Sequence, residues 1–126
     1  MTTSTKSVRG LGAAGRGTEH HIRQRVSAIA LIFLVPWFLS SVAFAMTAGY
    51  SGAIAWMQQS HNALLFILLF SAALYHMRLG LQTVIEDYIG RAGTKQALLI
   101  GNVFIVGGIY VVTLLSVLKL WLGNAA

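Results

Sequence analysis

Three long apolar stretches, separated by two short polar ones, make up most of this chain. They run over about residues 26–46, 61–85 and 97–118. A helix rises about 1.5 Å per residue, so about 20 apolar residues cross the roughly 30 Å hydrocarbon core of a bilayer. The pattern predicts an all-α membrane protein with three transmembrane helices. The first span contains Pro36, which membrane helices tolerate and which can kink one. Residues 47–60 (TAGYSGAIAWMQQS) read as a short uncharged loop, with Gly49 and Gly52 breaking the helix. Tyr50 and Trp56 suit the aromatic belt at headgroup level. Ser60 or Asn62 suits the cap of the second helix. Residues 86–96 (EDYIGRAGTKQ) read as a charged turn, with Gly90 and Gly93 as helix stops. In the third span Gly101, Gly107 and Gly108 permit close helix approach, and Lys119 and Trp121 mark its far interface. No internal repeat is evident.

Composition agrees with this pattern. Hydrophobic residues make up 56% of the 126, charged residues 10%, and mean hydropathy is +0.72. Soluble domains carry roughly 25% charged residues. No stretch is left over for a soluble catalytic domain with its own core, so any chemistry on a soluble substrate requires a partner chain. The absence of cysteine excludes disulfides, Cys-ligated zinc and iron–sulfur clusters from this chain.

The net charge of +6 reads as a topology signal and lipid-surface contact, not as a nucleic-acid site. With the N-terminus in the cytoplasm, Lys6, Arg9, Arg16, Arg23, Arg25, Arg91 and Lys95 lie inside and Lys119 alone lies outside. The positive-inside bias thus predicts a cytoplasmic N-terminus, an external C-terminus and a cytoplasmic 86–96 turn.

Residues 1–25 read as a flexible, basic N-terminal segment preceding a membrane domain over 26–121. Its GLGAAG (Gly10 to Gly15) matches G-x-G-x-x-G, but a dinucleotide site needs a preceding strand and a βαβ unit, so it reads as Gly/Ala-rich tail. His20 and His21 point about 100° apart on a helix and read as interfacial polar residues. Ala43-Phe44-Ala45 resembles a signal-peptidase site, but the lead and the apolar run are too long for a signal peptide. The first span is expected to stay uncleaved.

The second span carries the candidate chemistry. Residues His61 to Tyr88 read HNALLFILLFSAALYHMRLGLQTVIEDY. His76 and Arg78 lie well inside it, and ionisable groups at membrane depth are costly enough to mark candidate functional sites. From His76 to Asp87 is about 16 Å and three turns plus about 20°, so the two share nearly one face. Gly80, one turn below His76, leaves space beside it for something flat and bulky. A membrane histidine can make an interhelical hydrogen bond, relay protons or ligate haem iron in a helix bundle. His61 is too far along the same helix to share an iron with His76, so a second ligand would come most simply from another subunit. Arg78, about 200° round from His76, reads as snorkelling to the inner interface or meeting a partner's acid. Tyr88 at the boundary can donate to a quinone carbonyl, with Asp87 orienting it or relaying protons.

The segment YHMRLGLQTVIEDY (Tyr75 to Tyr88) resembles the second helix of the small, D-type cytochrome b membrane anchor of succinate dehydrogenase, respiratory complex II. The His–x10–Asp–Tyr spacing carries that resemblance. The lead-in GRGTEHHIRQRVSAIAL (Gly15 to Leu31) is similar to the family's Gly–His–Arg approach to its first span. The resemblance implies that His76 is an axial ligand to haem b iron, shared with a larger C-type anchor that supplies the second histidine. It implies that Tyr88 hydrogen-bonds ubiquinone with Asp87 near it, and that Arg25 meets a haem propionate or lines the quinone pocket. Arg78 is a second candidate for the propionates. It further implies a flavoprotein carrying FAD and an iron–sulfur protein as partners, the two anchors packing into one bundle. The chain would then be non-catalytic alone, serving aerobic respiration and the tricarboxylic acid cycle from a bacterial inner membrane, or a mitochondrial one. The bacterial membrane is favoured because the lead-in resembles the family's mature N-terminus soon after Met1. Two alternatives stand beside this: a structural anchor without haem or quinone contact, and a proton-coupled transporter using Arg78, Glu86 and Asp87. Both acids sit at the boundary of the span, not deep within it.

Overall fold

The computed structural model describes the backbone of residues 11–123 and the side chains of residues 17–123. Lys6 and Arg9 lie outside the described residues, as does the side chain of Arg16. Four helices follow one another: α1 (Leu11–Met46), α2 (Gly49–Gln58), α3 (Ser60–Tyr88) and α4 (Ala92–Leu122). Among the described residues there is no strand. The long helices α1, α3 and α4 are each apolar enough to cross a bilayer, over Gly17–Met46, Ser60–Tyr88 and Ala92–Leu122.

The helix α3 is central. Both α1 and α4 pack along it and do not touch each other. Each pair is antiparallel, as the cross-helix contacts show. Ser27 meets His76 while His20 meets Thr83. Asn102 meets Arg78 while Tyr110 meets Ser71. Leu69, Leu74 and Leu79 of α3 and Val106 and Val117 of α4 form the small buried core. In the most apolar window of α3 17% of residues are buried within the chain, against 6% for α1 and α4. Most apolar surface is therefore left for lipid or for another subunit, as expected of helices that pack by close contact within a bilayer.

Four local features differ from the sequence expectation. Residues 11–25 are not a flexible lead: α1 begins at Leu11 and runs unbroken through Pro36. A helix satisfies its backbone internally whether or not its side chains are apolar, so the apolar boundary at residue 26 does not end it. Leu11 to Gly15 of the GLGAAG stretch are accordingly helical.

Residues 47–60 are not an open loop, because α2 occupies most of them. Gly49, the first residue of α2, has φ +67°, the left-handed region where the chain turns into the helix. At Gly52 a Cβ would collide with the Ala45 carbonyl oxygen and the Ala48 methyl. The glycines thus fold α2 back against α1 instead of dissolving it. Neither Ser60 nor Asn62 caps α3, since Gln59 precedes the helix and makes no side-chain cap. Asn62 Nδ2 donates to the Trp56 carbonyl and to Gln59 Oε1, both at 3.0 Å. Ser60 Oγ accepts from Trp121 Nε1 at 3.2 Å, tying the ends of α3 and α4 together.

The charged turn is tighter than 86–96. Residues 89–91 connect α3 to α4, and Gly93 lies in the first turn of α4. Lys95 Nζ donates to the Glu86 carbonyl at 2.9 Å. A cation at that position complements the carbonyls left open at a helix C-terminus.

Candidate functional site

His76 does not stand alone in the bilayer. Its Nδ1 lies 3.0 Å from Ser27 Oγ of α1, and Ser27 is buried, at 6% exposure. The same Ser27 hydroxyl lies 2.9 Å from the Gln24 carbonyl. Two turns nearer the start of α1, His20 Nε2 lies 3.1 Å from Thr83 Oγ1, and Thr83 Oγ1 donates to the Leu79 carbonyl at 3.1 Å. Each helix thus offers one histidine and one hydroxyl seven residues apart. Seven residues is two turns less about 20°, so both groups share a face. Running antiparallel, the two helices meet histidine to hydroxyl twice.

The sequence expectation takes His20 as interfacial and gives Ser27 no role; the structure pairs each with a residue of α3. The signal was there: His20-x6-Ser27 on one apolar-flanked helix and His76-x6-Thr83 on the next. His21, on the neighbouring face, is exposed, as is His61 at the far end of α3. Beside His76, a Cβ on Gly80 would meet Gln24 Nε2 at 3.7 Å, ordinary contact. Gln24 therefore borders the space at Gly80.

A polar cleft of about 570 Å³ opens beside this seam, lined by His20, Arg23, Tyr75, Arg78, Gln82 and Glu86 among others. Arg23 is paired to Glu19 one turn away. Glu86 Oε1 accepts from Gln82 Nε2 at 2.8 Å. Arg78 sits on the opposite side of α3 from His76, as the helical spacing predicts. Its Nε is buried without a partner, as is Asn102 Oδ1, while Asn102 Nδ2 donates to the Arg78 carbonyl at 3.0 Å. Arg78 also lines an apolar groove of about 330 Å³ between α3 and α4, with Leu74, Val103 and Val106.

Asp87 and Tyr88 end α3, and both are exposed, Tyr88 at 81%. By helical spacing Asp87 lies within about 20° of His76 and Tyr88 about 120° from it. Arg25 is exposed, about 200° round α1 from Ser27 and so directed away from α3. The chain alone therefore does not gather His76, Tyr88 and Arg25 into one pocket. His76 and Asp87 share a flank of α3, and Tyr88 and Arg25 face outward.

Three helices long and apolar enough to cross a bilayer, two of them joined by a polar seam, define a polytopic membrane protein. Residues 1–116 match the family model of the succinate dehydrogenase/fumarate reductase transmembrane subunit. The chain belongs to that family: it is a multi-pass membrane-anchor subunit of the succinate dehydrogenase type. It is 31% identical over 121 residues to the succinate dehydrogenase hydrophobic membrane anchor subunit of Paracoccus denitrificans, covering 96% of this chain and 93% of that one. The corresponding subunit of Rickettsia bellii is 30% identical over 89 residues, 71% of either chain. No solved structure gives a significant match.

Proposed function

We propose that this subunit holds haem b through His76 and helps form the ubiquinone-reduction site of a succinate:ubiquinone oxidoreductase. The observation that carries the reading is the state of His76: Nδ1 is taken up by Ser27, and Nε2 has no partner among the described residues. An imidazole fixed through one nitrogen is the usual form of a metal-ligating histidine. The donor set therefore fits a haem iron at the remaining ring nitrogen. Haem bound there supplies a one-electron centre inside the bilayer. A C-type anchor would supply the second histidine for haem b, and flavoprotein and iron–sulfur subunits would carry the FAD and clusters, as the family resemblance implies.

Tyr88 and Asp87 occupy the membrane boundary. The exposed Tyr88 phenol donates to a quinone carbonyl, and Asp87 beside it orients the phenol or passes on a proton. Arg25, outward-facing on α1, meets a haem propionate or lines the quinone pocket once the second anchor is in place. The N-terminus is cytoplasmic, which puts the Asp87–Tyr88 end of α3 on the cytoplasmic side of a bacterial inner membrane. The transporter alternative gains nothing from the geometry, because Glu86 and Asp87 both lie in the last turn of α3.

The quinone role is tested with Tyr88→Phe in the purified complex. Succinate–quinone reductase activity is expected to fall about a hundredfold, the lower end of what one positioned proton donor contributes. Succinate oxidation with an artificial acceptor should persist. Normal quinone reduction by that variant would rule the phenol out as a donor.

A further inference from the structure

A serine hydroxyl has one proton, and Ser27 Oγ lies within hydrogen-bond distance of both the Gln24 carbonyl and His76 Nδ1. The Gln24 carbonyl, 2.9 Å from Oγ, can only accept. With the Ser27 proton donated to Gln24, the 3.0 Å contact with His76 runs the other way, Nδ1–H donating to a lone pair of Ser27 Oγ. A neutral imidazole with its proton on Nδ1 carries its lone pair on Nε2. Ser27 is itself buried, at 6% exposure, and His76 is half-buried.

The second bridge of the seam gives a contrast. With the Thr83 proton donated to the Leu79 carbonyl, His20 donates through Nε2. The hydroxyl thus selects the nitrogen that carries the proton, and it selects opposite nitrogens in the two histidines.

We propose that Ser27 is a positioning residue for the haem ligand: it holds His76 as the Nδ1–H tautomer, fixes the ring plane and makes Nε2 the more basic nitrogen. This rests on the reading of His76 as the iron ligand. A hydrogen bond from Nδ1–H raises the basicity of the ligating nitrogen. A more basic ligand favours ferric over ferrous iron and lowers the midpoint potential. The residue that sets this acceptor lies on α1, a helix that supplies no ligand.

The test uses the purified complex with wild-type chain, Ser27→Ala, Ser27→Thr and Thr83→Val. Haem b is titrated potentiometrically, and the oxidised complex is examined by low-temperature electron paramagnetic resonance. Ser27→Ala is expected to raise the midpoint potential, shift the low-spin g-values as the ring turns, and weaken haem retention about tenfold. Ser27→Thr, which keeps the hydroxyl, and Thr83→Val, which breaks only the His20 bridge, should both keep the wild-type potential. An unchanged potential and spectrum in Ser27→Ala overturns the proposal, as does an equal shift in Thr83→Val. Should Ser27→Ala fail to hold haem, Ser27→Thr decides: haem at wild-type potential supports the role of the hydroxyl, and loss in both overturns it. Failure of the underlying reading is seen separately, as unaltered haem ligation in His76→Ala.

Discussion

The seam between α1 and α3 is held differently at its two ends. Toward the start of α1 it is closed by two imidazole–hydroxyl bridges, His20 to Thr83 and Ser27 to His76. Toward the other end Trp37 and Phe38 of α1, Trp56 of α2, and Phe66 and Phe70 of α3 form a continuous aromatic cluster. Its ring centroids lie between 4.9 Å (Phe66–Phe70) and 6.4 Å (Trp56–Phe66) apart. An aromatic pair contributes about 0.5–1.5 kcal/mol beyond its buried area. A polar side-chain bridge between membrane helices averages only about 0.6 kcal/mol. The polar end is therefore not the stronger one. What it adds is direction: a ring stack tolerates rotation, whereas a hydroxyl whose own proton is assigned dictates which nitrogen of a histidine is free. The chain uses rings where cohesion suffices and hydroxyls where an imidazole must be aimed.

Breaking the aromatic end should cost the most stability and leave the chemistry intact. Trp56 pairs with Trp37, Phe38 and Phe66, so Trp56→Ala is expected to destabilise the subunit by about 2–4 kcal/mol. That should appear as a lowered thermal midpoint of the purified complex with an unchanged haem spectrum. A spectral change would show that the two ends are coupled and the division of roles is wrong. At the polar end, Thr83→Val removes one bridge and should lower the thermal midpoint only slightly, in line with about 0.6 kcal/mol. A loss as large as that of Trp56→Ala would mean that the polar bridges, not the rings, hold the seam.

The long helices were legible because the bilayer imposes their length, and the His76–Asp87 register followed from helical rise and twist. Less visible were the features set by contacts between segments. The helix α2 was hidden by its two glycines, which read as breakers when each is taken alone. Gly49 turns the chain into α2 and Gly52 admits the backbone of α1 at short range, and neither purpose shows until the two helices are placed side by side. The polar start of α1 reads as a tail because hydropathy reports where apolar side chains stop, not where backbone hydrogen bonding stops. Ser27 passes for an ordinary small residue in an apolar run. Its role emerges only when the seven-residue spacing on α1 is set against the same spacing on α3, running the other way. Arg78, the most conspicuous charge in the sequence, lies on the far side of α3 from His76. Tyr88, at the end of α3, is exposed.

The central claim is that the Nε2 of His76 holds haem iron. Its most direct test is a dithionite-reduced minus oxidised spectrum of the purified complex containing His76→Ala, beside that of the wild type. The account predicts that the b-type absorption is lost or changed to that of a haem with altered axial ligation. A b-type spectrum of undiminished intensity with unaltered ligation would contradict it.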